Sequence, residues 1–463
     1  MIHSLKYAWL FVLIFIPVIP RVGVLTLAED SRGSAASDTA LIIDDFLIFA
    51  IVGLLIANLF ARASITGEFK VTISDFGSYF ACFILYKLVD FTMLAAIYPW
   101  DLQENITGAD LEDFGVRIKE GILVLSKSLA FLAVYMLIYM NLKDRKDILV
   151  AVYFFIASTI VVLAVGFAQF FYLDHPVITS TFRNIHALSI VNPNVWGSED
   201  PWLGLSSVGH EHLGAFMVIS QAIFAGFLLC GWPRNKGVQK WLTVGWLCCL
   251  FVLIFSSSRG AWLGGGCSFA ILIWASLRFG KFQKVVKVVV LSAIFFVIVI
   301  SLSEFSISDH FFNRIEGLLS AYDGEIEDDS AIQRLKLMDS LLTRYSKSPL
   351  FGWGAGGAGR IAEGQYLREL LEGGAIGLLW FLALIIVCSA IGWRLMRWSV
   401  DPLARGLGVG FMGAIAGLCG QALFTELFIL TKVGTPFWCV AAIVHRMYSL
   451  ELRTQPRAVE DVG

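Results

Sequence analysis

Stretches of about twenty apolar residues alternate along the chain with short polar gaps. A helix needs about 20 apolar residues to cross the hydrocarbon core of a bilayer. Twelve stretches reach or approach this length, and each is predicted to be a membrane-spanning helix. They cover roughly residues 7–27, 41–61, 75–98, 119–141, 148–172, 211–232, 239–257, 260–278, 284–303, 366–393, 404–424 and 427–447. The pattern therefore predicts an all-α polytopic membrane bundle of about twelve helices.

The composition agrees with this prediction. Of the 463 residues, 57% are hydrophobic and 16% are charged, whereas about a quarter of the residues in a soluble domain are charged. The net charge of −2 gives no reason to expect a nucleic acid as partner. All eight cysteines lie in apolar stretches without metal-type spacing, so they are predicted to be small buried hydrophobes. No linker divides the chain, and residues 1–463 are predicted to form one membrane domain.

The charges in the polar gaps predict the orientation of the helices. Every second gap is rich in Lys and Arg, and the positive-inside rule places these gaps and both termini in the cytoplasm. The remaining gaps then lie outside, and two of them are long, at about 173–210 and 304–365. The second precedes the tenth span and is predicted to be a large, helical extracytoplasmic loop that caps a cavity.

A single arginine lies between the seventh and eighth predicted spans, on the outer side. The stretch reads SSSRGAWLG at 256–264, and Arg259 is its charge. An ionisable group near membrane depth usually faces the interior of the bundle or a cavity. The serines can donate hydrogen bonds, and the glycines allow close approach, so this corner suits an anion such as phosphate. The alternative is that Arg259 extends to the interface and holds nothing.

A second group of polar and glycine residues surrounds the start of the tenth span. The stretch GWGAGGAG at 352–359 lacks the G-K-[ST] ending of a phosphate-binding loop and is predicted to be a re-entrant or hinge segment. Gly374 and Gly377 lie three residues apart, so they are predicted to share a helix face that packs closely on a neighbour.

Three stretches in this order resemble the O-antigen ligase and O-antigen polymerase superfamily of bacterial inner membranes. They are SSSRGAWLG at 256–264, the segment from Arg334 to the SPLFGWG that ends at Gly354, and YLRELLEGGAIGLLWF at 366–381. The twelve spans and the long loop before the tenth agree with this resemblance. It implies a multi-pass protein of the inner membrane whose active face is extracytoplasmic.

The resemblance implies glycosyl transfer that is independent of metal ions and of cofactors. A glycan leaves a polyprenyl diphosphate and joins a sugar hydroxyl, and fixed cations should surround the departing diphosphate. Arg259 is the first candidate, and Arg334 matches the family's loop arginine best. The further candidates for binding diphosphate or glycan are Arg314, Arg344, Arg360 and Tyr366.

The chain departs from the ligase pattern just before Tyr366. Ligases of this family typically carry a His-Asn pair there, and this chain has Glu363 and Gly364 at those positions. The carboxylate resembles the polymerase branch, and it could accept the proton of the attacking hydroxyl. Alternatively, Glu363 interacts with the positive end of the helix dipole. Both interpretations remain open.

The start of the sixth span carries His210, Glu211 and His212. A spacing of two places the histidines on different helix faces, unlike the H-E-x-x-H zinc pattern. The three residues either form a polar wall of the donor cavity or are an ordinary helix start at the interface.

The leading functional hypothesis is polymerisation of lipid-linked repeat units into a surface polysaccharide. The first alternative is ligation of finished glycan to an acceptor lipid or protein. The second alternative is a twelve-span secondary transporter, supported only by Lys87, Asp90 and Glu426 inside predicted spans. The expected partners are the polyprenyl-diphosphate-linked oligosaccharide and the bilayer, with a flippase and a chain-length regulator as protein candidates.

Overall fold

The structure is a computed structural model. It describes residues 2–18, 23–26, 40–42, 47–48, 50, 53, 75–101, 114–171, 209–256, 258–279, 290, 294, 341–358 and 364–454. Ten α-helices lie within these residues: α1 Ile2–Ile14, α2 Asp75–Asp101, α3 Phe114–Asn141, α4 Arg145–Phe171, α5 Gly209–Cys230, α6 Lys236–Phe255, α7 Arg259–Arg278, α8 Gln365–Trp398, α9 Pro402–Gln421 and α10 Thr431–Thr454. Residues 341–347 are also helical. Strands β1 (Gly23–Thr26) and β2 (Ala40–Ile42) pair in an antiparallel arrangement.

Seven helices of the described part, α3 to α9, are long and apolar enough to cross a membrane. They coincide with the fourth to eighth, tenth and eleventh predicted spans. The all-α polytopic membrane bundle is therefore confirmed, although seven spans and not twelve are identified among these residues. The third and twelfth predicted spans are also helical, as α2 and α10, but they do not belong to the seven.

The first predicted span is wrong in its second half. Helix α1 ends at Ile14, a 3-10 turn follows at Ile16–Val18, and strand β1 has begun by Gly23. Pro17 lies in that turn, and proline removes a backbone donor and clashes with the preceding helical turn, so the helix stops before it. The second and ninth predicted spans lie almost entirely outside the described residues.

Helix α9 lies at the centre of the bundle, between α5, α7 and α8. Glycines on its surface make this close packing possible. A Cβ on Gly264 of α7 would lie 2.6 Å from the carbonyl oxygen of Gly417, and a Cβ on Gly410 would lie 2.6 Å from the Cα of Ile223 in α5. Small residues allow membrane helices to approach closely, and this contact contributes to their association.

Three of the basic gaps meet at one end of the bundle. Arg145, at the start of α4, forms an ion pair of 2.6 Å with Asp401, just before α9. The guanidinium of Arg405 lies 5.2 Å from the ring centre of Phe279, just after α7. These three basic gaps, which are far apart along the chain, therefore lie at the same end of the bundle.

Three helices begin at the opposite end, where α9 terminates. The side-chain amide of Gln421, the last residue of α9, donates to the backbone oxygen of Glu211 in α5, at 3.0 Å. The backbone N–H of Gln365 in α8 donates to Ala422, at 2.9 Å, and Gly260 of α7 packs against Gln421. We call this the convergent end of the bundle, because α5, α7 and α8 all start there.

Candidate active site

Arg259 is half-buried and lies in the first turn of α7, at the convergent end. Its neighbours shape the helix start. The Ser258 hydroxyl accepts a hydrogen bond from the N–H of Ala261, at 3.2 Å, and caps α7. The Ser256 hydroxyl donates to the carbonyl oxygen of Leu253, at 2.7 Å. Ser256 therefore belongs to the end of α6 and Ser258 to the start of α7, while Arg259 is the charged residue of the stretch.

Glu211 and His212 lie in the first turn of α5, next to the end of α9. The Glu211 carboxylate accepts a hydrogen bond from the hydroxyl of Thr425, at 3.2 Å, and the His212 side chain is buried. His210 belongs to the same helical turn. Within the described ranges, no group of three or more His, Cys, Asp or Glu side chains is arranged to hold a metal ion.

The side chains of Tyr366 and Arg344 are both held by contacts within the protein, Tyr366 to α9 and Arg344 to Trp353. The Tyr366 hydroxyl donates to the carbonyl oxygen of Cys419 in α9, at 2.9 Å, and this bond ties the start of α8 to the end of α9. The Arg344 guanidinium lies 5.4 Å from the ring centre of Trp353, whose indole N–H donates to the Arg344 carbonyl oxygen at 3.1 Å. The structure brings Arg259, Glu211 and Tyr366 to the convergent end.

Four predicted site residues lie outside the described residues: Arg314, Arg334, Arg360 and Glu363. The structure resumes at Gly364, whose φ of 109° lies in the region that favours glycine. A Cβ at this position would lie 2.6 Å from the carbonyl oxygen of Leu423. Any larger residue at position 364 would therefore require the backbone to move.

The helical path of α8 is broken at Gly374, which has φ 62° and ψ −162°. Residues 349–358, which we call the glycine segment, fill this break. The N–H of Trp353 donates to the carbonyl oxygen of Leu371, at 2.8 Å, and the N–H of Ala375 donates to Pro349, at 2.9 Å. Backbone groups freed by the break therefore find partners in the glycine segment. The prediction of a re-entrant or hinge segment identified this region, but its pairing with α8 was not predicted.

The prediction for Gly374 is wrong. Gly374 does not share a helix face with Gly377, because it adopts a non-helical conformation and contacts the backbone of Leu350. Gly377 does allow close helix packing, since a Cβ there would lie 3.3 Å from the ring of Tyr86 in α2.

A buried ion network, which was not predicted from the sequence, links α2, α8 and the loop after α9. The ammonium of Lys87 lies 2.5 Å from Glu369 and 3.3 Å from Glu372. The guanidinium of Arg368 lies 3.0 Å from Glu372 and 2.6 Å from Glu426. Lys87 and Glu372 are at most 2% exposed, whereas the Glu426 side chain is 17% exposed, so the network runs inward from the convergent end.

The sequence did contain a signal for this network. Arg368 and Glu372 are spaced by four residues at the start of a predicted span, and ionisable residues inside spans often mark functional sites. Lys87 and Glu426 were interpreted from the sequence only as support for a transporter. Their partners are far away in sequence and were not predictable from spacing.

A comparison with known protein families matches the part of the chain that contains Arg259 and the start of α8. The model of the O-antigen ligase family matches residues 244–381, from α6 through α7 and the following loop to the first half of α8. No curated protein was found to match the chain. The family match supports glycan processing of the ligase or polymerase type in a multi-pass membrane protein, and it gives no support to the transporter alternative. Residues 244–381 are therefore similar to the O-antigen ligase family, which confirms the resemblance to the O-antigen ligase and polymerase superfamily.

Proposed function

We propose that the protein transfers glycan from a polyprenyl diphosphate to a sugar hydroxyl at the convergent end of the bundle, and that it polymerises repeat units. The observation that carries this proposal is the position of Arg259, inside the matched domain and at the end where α5, α7 and α8 begin. Helix N-termini carry partial positive charge, and three of them together with an arginine favour an anionic group.

The proposed reaction breaks the bond between the anomeric carbon and the diphosphate oxygen. The hydroxyl oxygen of the acceptor sugar forms the new glycosidic bond, and its proton goes to a base, for which we propose Glu363. The bonding electrons leave with the diphosphate, which gains negative charge as it departs. Fixed cations stabilise that charge in the transition state, and Arg259 is the proposed contact.

The loop before α8 would supply the further cations. We propose that Arg334, Arg360 and Arg314 contribute to diphosphate or glycan binding, with Arg344 held over Trp353. In this scheme arginine charges replace a divalent metal ion. Glu211, His210 and His212 are proposed to line the donor cavity, because Glu211 lies beside the end of α9.

The choice of polymerase over ligase rests on positions 363 and 364. The family's ligases typically have histidine and asparagine where this chain has Glu363 and Gly364. The backbone of Leu423 leaves no room for a side chain at Gly364, so an asparagine does not fit there without rearrangement. Ligation is the second candidate, since the matched family is described as O-antigen ligase.

We also propose the orientation that the basic gaps predict. Both termini and the end of the bundle with Arg145 and Asp401 lie in the cytoplasm, while the convergent end and the loop at 304–365 lie outside. A flippase would deliver the lipid-linked donor to this face, and a chain-length regulator would act on the growing polymer.

A gel of lipid-linked and exported glycans from a deletion strain tests the proposal. Single repeat units on the carrier indicate that a polymerase has been lost, which is the expected result. Full-length polymer retained on the carrier would indicate the loss of a ligase. A complete, normally exported polymer would contradict both activities. Restoration by the wild-type gene on a plasmid is the control.

A further inference from the structure

We infer that Glu372 is a positioning residue for the proposed reaction, because it holds the glycine segment in place against α8. This inference rests on the proposed function. Glu372 is fully buried in α8, two residues before the break at Gly374. The loop residues assigned to the reaction follow the glycine segment directly in sequence, since Glu363 comes seven residues after Gly356.

The Glu372 carboxylate has three partners. It lies 3.3 Å from the Lys87 ammonium and 3.0 Å from the Arg368 guanidinium, and it accepts a hydrogen bond from the N–H of Gly356, at 3.1 Å. Glu372 therefore connects a cation of α2 and a cation of α8 to the backbone of the glycine segment. Hydrogen bonds to a charged acceptor are stronger than neutral ones, so this contact should be an effective anchor.

Glu372 shares both cations of the network with other carboxylates. Lys87 lies 2.5 Å from Glu369, and Arg368 lies 2.6 Å from Glu426, so each cation already has a carboxylate of its own. Glu372 is therefore a further carboxylate beside the same two cations. The bond to Gly356 is the contact that Glu372 makes in addition to these ion pairs, and it gives the residue a reason to be present.

The part of the glycine segment around Trp353 is held by backbone hydrogen bonds. The N–H groups of Trp353 and Gly354 donate to backbone oxygens of α8, both at 2.8 Å, and these bonds do not depend on a particular side chain. The Gly356 N–H depends on the Glu372 side chain. Removing the carboxylate should therefore release the Gly356 amide, while the part of the segment at Trp353 stays bound.

Hydrogen–deuterium exchange resolved at single amides tests this inference on the purified full-length protein. Glu372→Met removes the acceptor but keeps an unbranched side chain. Exchange at the Gly356 amide should become at least about tenfold faster, while the Trp353 and Gly354 amides remain protected. Glu372→Gln keeps an acceptor oxygen and should give a smaller change in the same direction. Glu369→Gln is the matched control, because it alters the same network but not the bond to Gly356.

Turnover with a lipid-linked repeat unit is the second measurement. In Glu372→Met we expect kcat to fall by about 10- to 100-fold and KM for the donor to stay within about threefold, because a displacement of about 1 Å can cost on the order of 100-fold in rate. Glu372→Gln should restore part of kcat. Unchanged Gly356 exchange in the folded Glu372 variants would overturn the inference, even if turnover falls. If the wild type shows no glycan transfer, the proposed function fails, and the exchange data alone decide whether Glu372 anchors the segment.

Discussion

The backbone N–H of Trp353 donates a hydrogen bond to the carbonyl oxygen of Leu371, at 2.8 Å, across the break in α8. Within a membrane, an unpaired backbone group is costly, and irregular backbone is tolerated where protein surrounds it. The glycine segment supplies these partners and lets α8 change direction at Gly374. Backbone groups on both sides of the break are therefore paired, although the helix is interrupted there.

The conformation of Gly374 predicts that Gly374→Ala destabilises the protein by about 2 kcal/mol or more. Its φ and ψ of 62° and −162° lie in a region essentially limited to glycine, where another residue costs on the order of 1–3 kcal/mol. An added Cβ would also collide with the backbone of Leu350. Thermal unfolding in detergent measures the effect. Gly266→Ala in α7 is the control, because a Cβ there meets nothing within 4 Å, and its stability should be unchanged or higher. Equal stability of the two variants would contradict the described break.

Arg259→Lys should lose most activity although the charge is kept. A lysine cannot reproduce the bidentate fork of arginine on a diphosphate, and the expected loss is about 2–4 kcal/mol of transition-state stabilisation. Polymer formed per unit of folded protein is the measurement. Arg278→Lys, at the exposed opposite end of α7, should behave as wild type. If Arg259→Lys makes wild-type polymer, Arg259 does not bind the diphosphate, and the alternative that it extends to the membrane interface is favoured.

Glu363→Gln separates the two roles considered for this carboxylate. If Glu363 is the base, the rate should fall by roughly 10²–10⁴-fold. If it only interacts with the helix dipole, stability should fall by about 0.3–1 kcal/mol and turnover should be nearly intact. Glu363→His should recover part of the rate, because imidazole is a titratable base. Glu451→Gln is the control, because Glu451 accepts a hydrogen bond from Ser399, close to Asp401 at the other end of the bundle. Near-wild-type turnover of Glu363→Gln would move the search for the base to His210, Glu211 and His212.

The orientation is tested by two single cysteines in a variant without the native cysteines. Lys347 and Lys236 are both exposed, one beside the glycine segment and one at the start of α6. Lys347→Cys should react with a membrane-impermeant thiol reagent in intact spheroplasts, and Lys236→Cys should react only after lysis. Because the two sites have the same native residue and similar exposure, the reverse labelling would overturn the proposed orientation.

The sequence predicted the helices well where the length of an apolar run was sufficient. Seven predicted spans coincide with helices α3 to α9, since hydropathy alone decides whether a segment can span a bilayer. The end of α1 before Pro17 was accessible from the sequence, because proline rarely continues a helix. The spacing of Gly374 and Gly377 was misleading, because spacing describes a helix face only if the chain stays helical.

The buried ion network could not be predicted from the spacing of its residues along the chain. Lys87 and Glu372 are 285 residues apart, and only the packing of α2 on α8 brings them together. Likewise, the hydrogen bond from Gly356 to Glu372 depends on a break in α8 that hydropathy does not reveal. Arg259, by contrast, was selected as a candidate from its own short stretch, because a charge between two apolar runs is unusual in itself; its role stays a prediction.

Reconstitution tests the central claim most directly. Purified protein is incubated with a lipid-linked single repeat unit as the only glycan substrate, and the products are separated by size. The polymerase proposal predicts a ladder of carrier-linked oligomers that lengthens with time and is largely lost in Arg259→Lys. Repeat units that stay single until an acceptor lipid is added, and are then transferred to it, would contradict polymerisation and establish ligation instead.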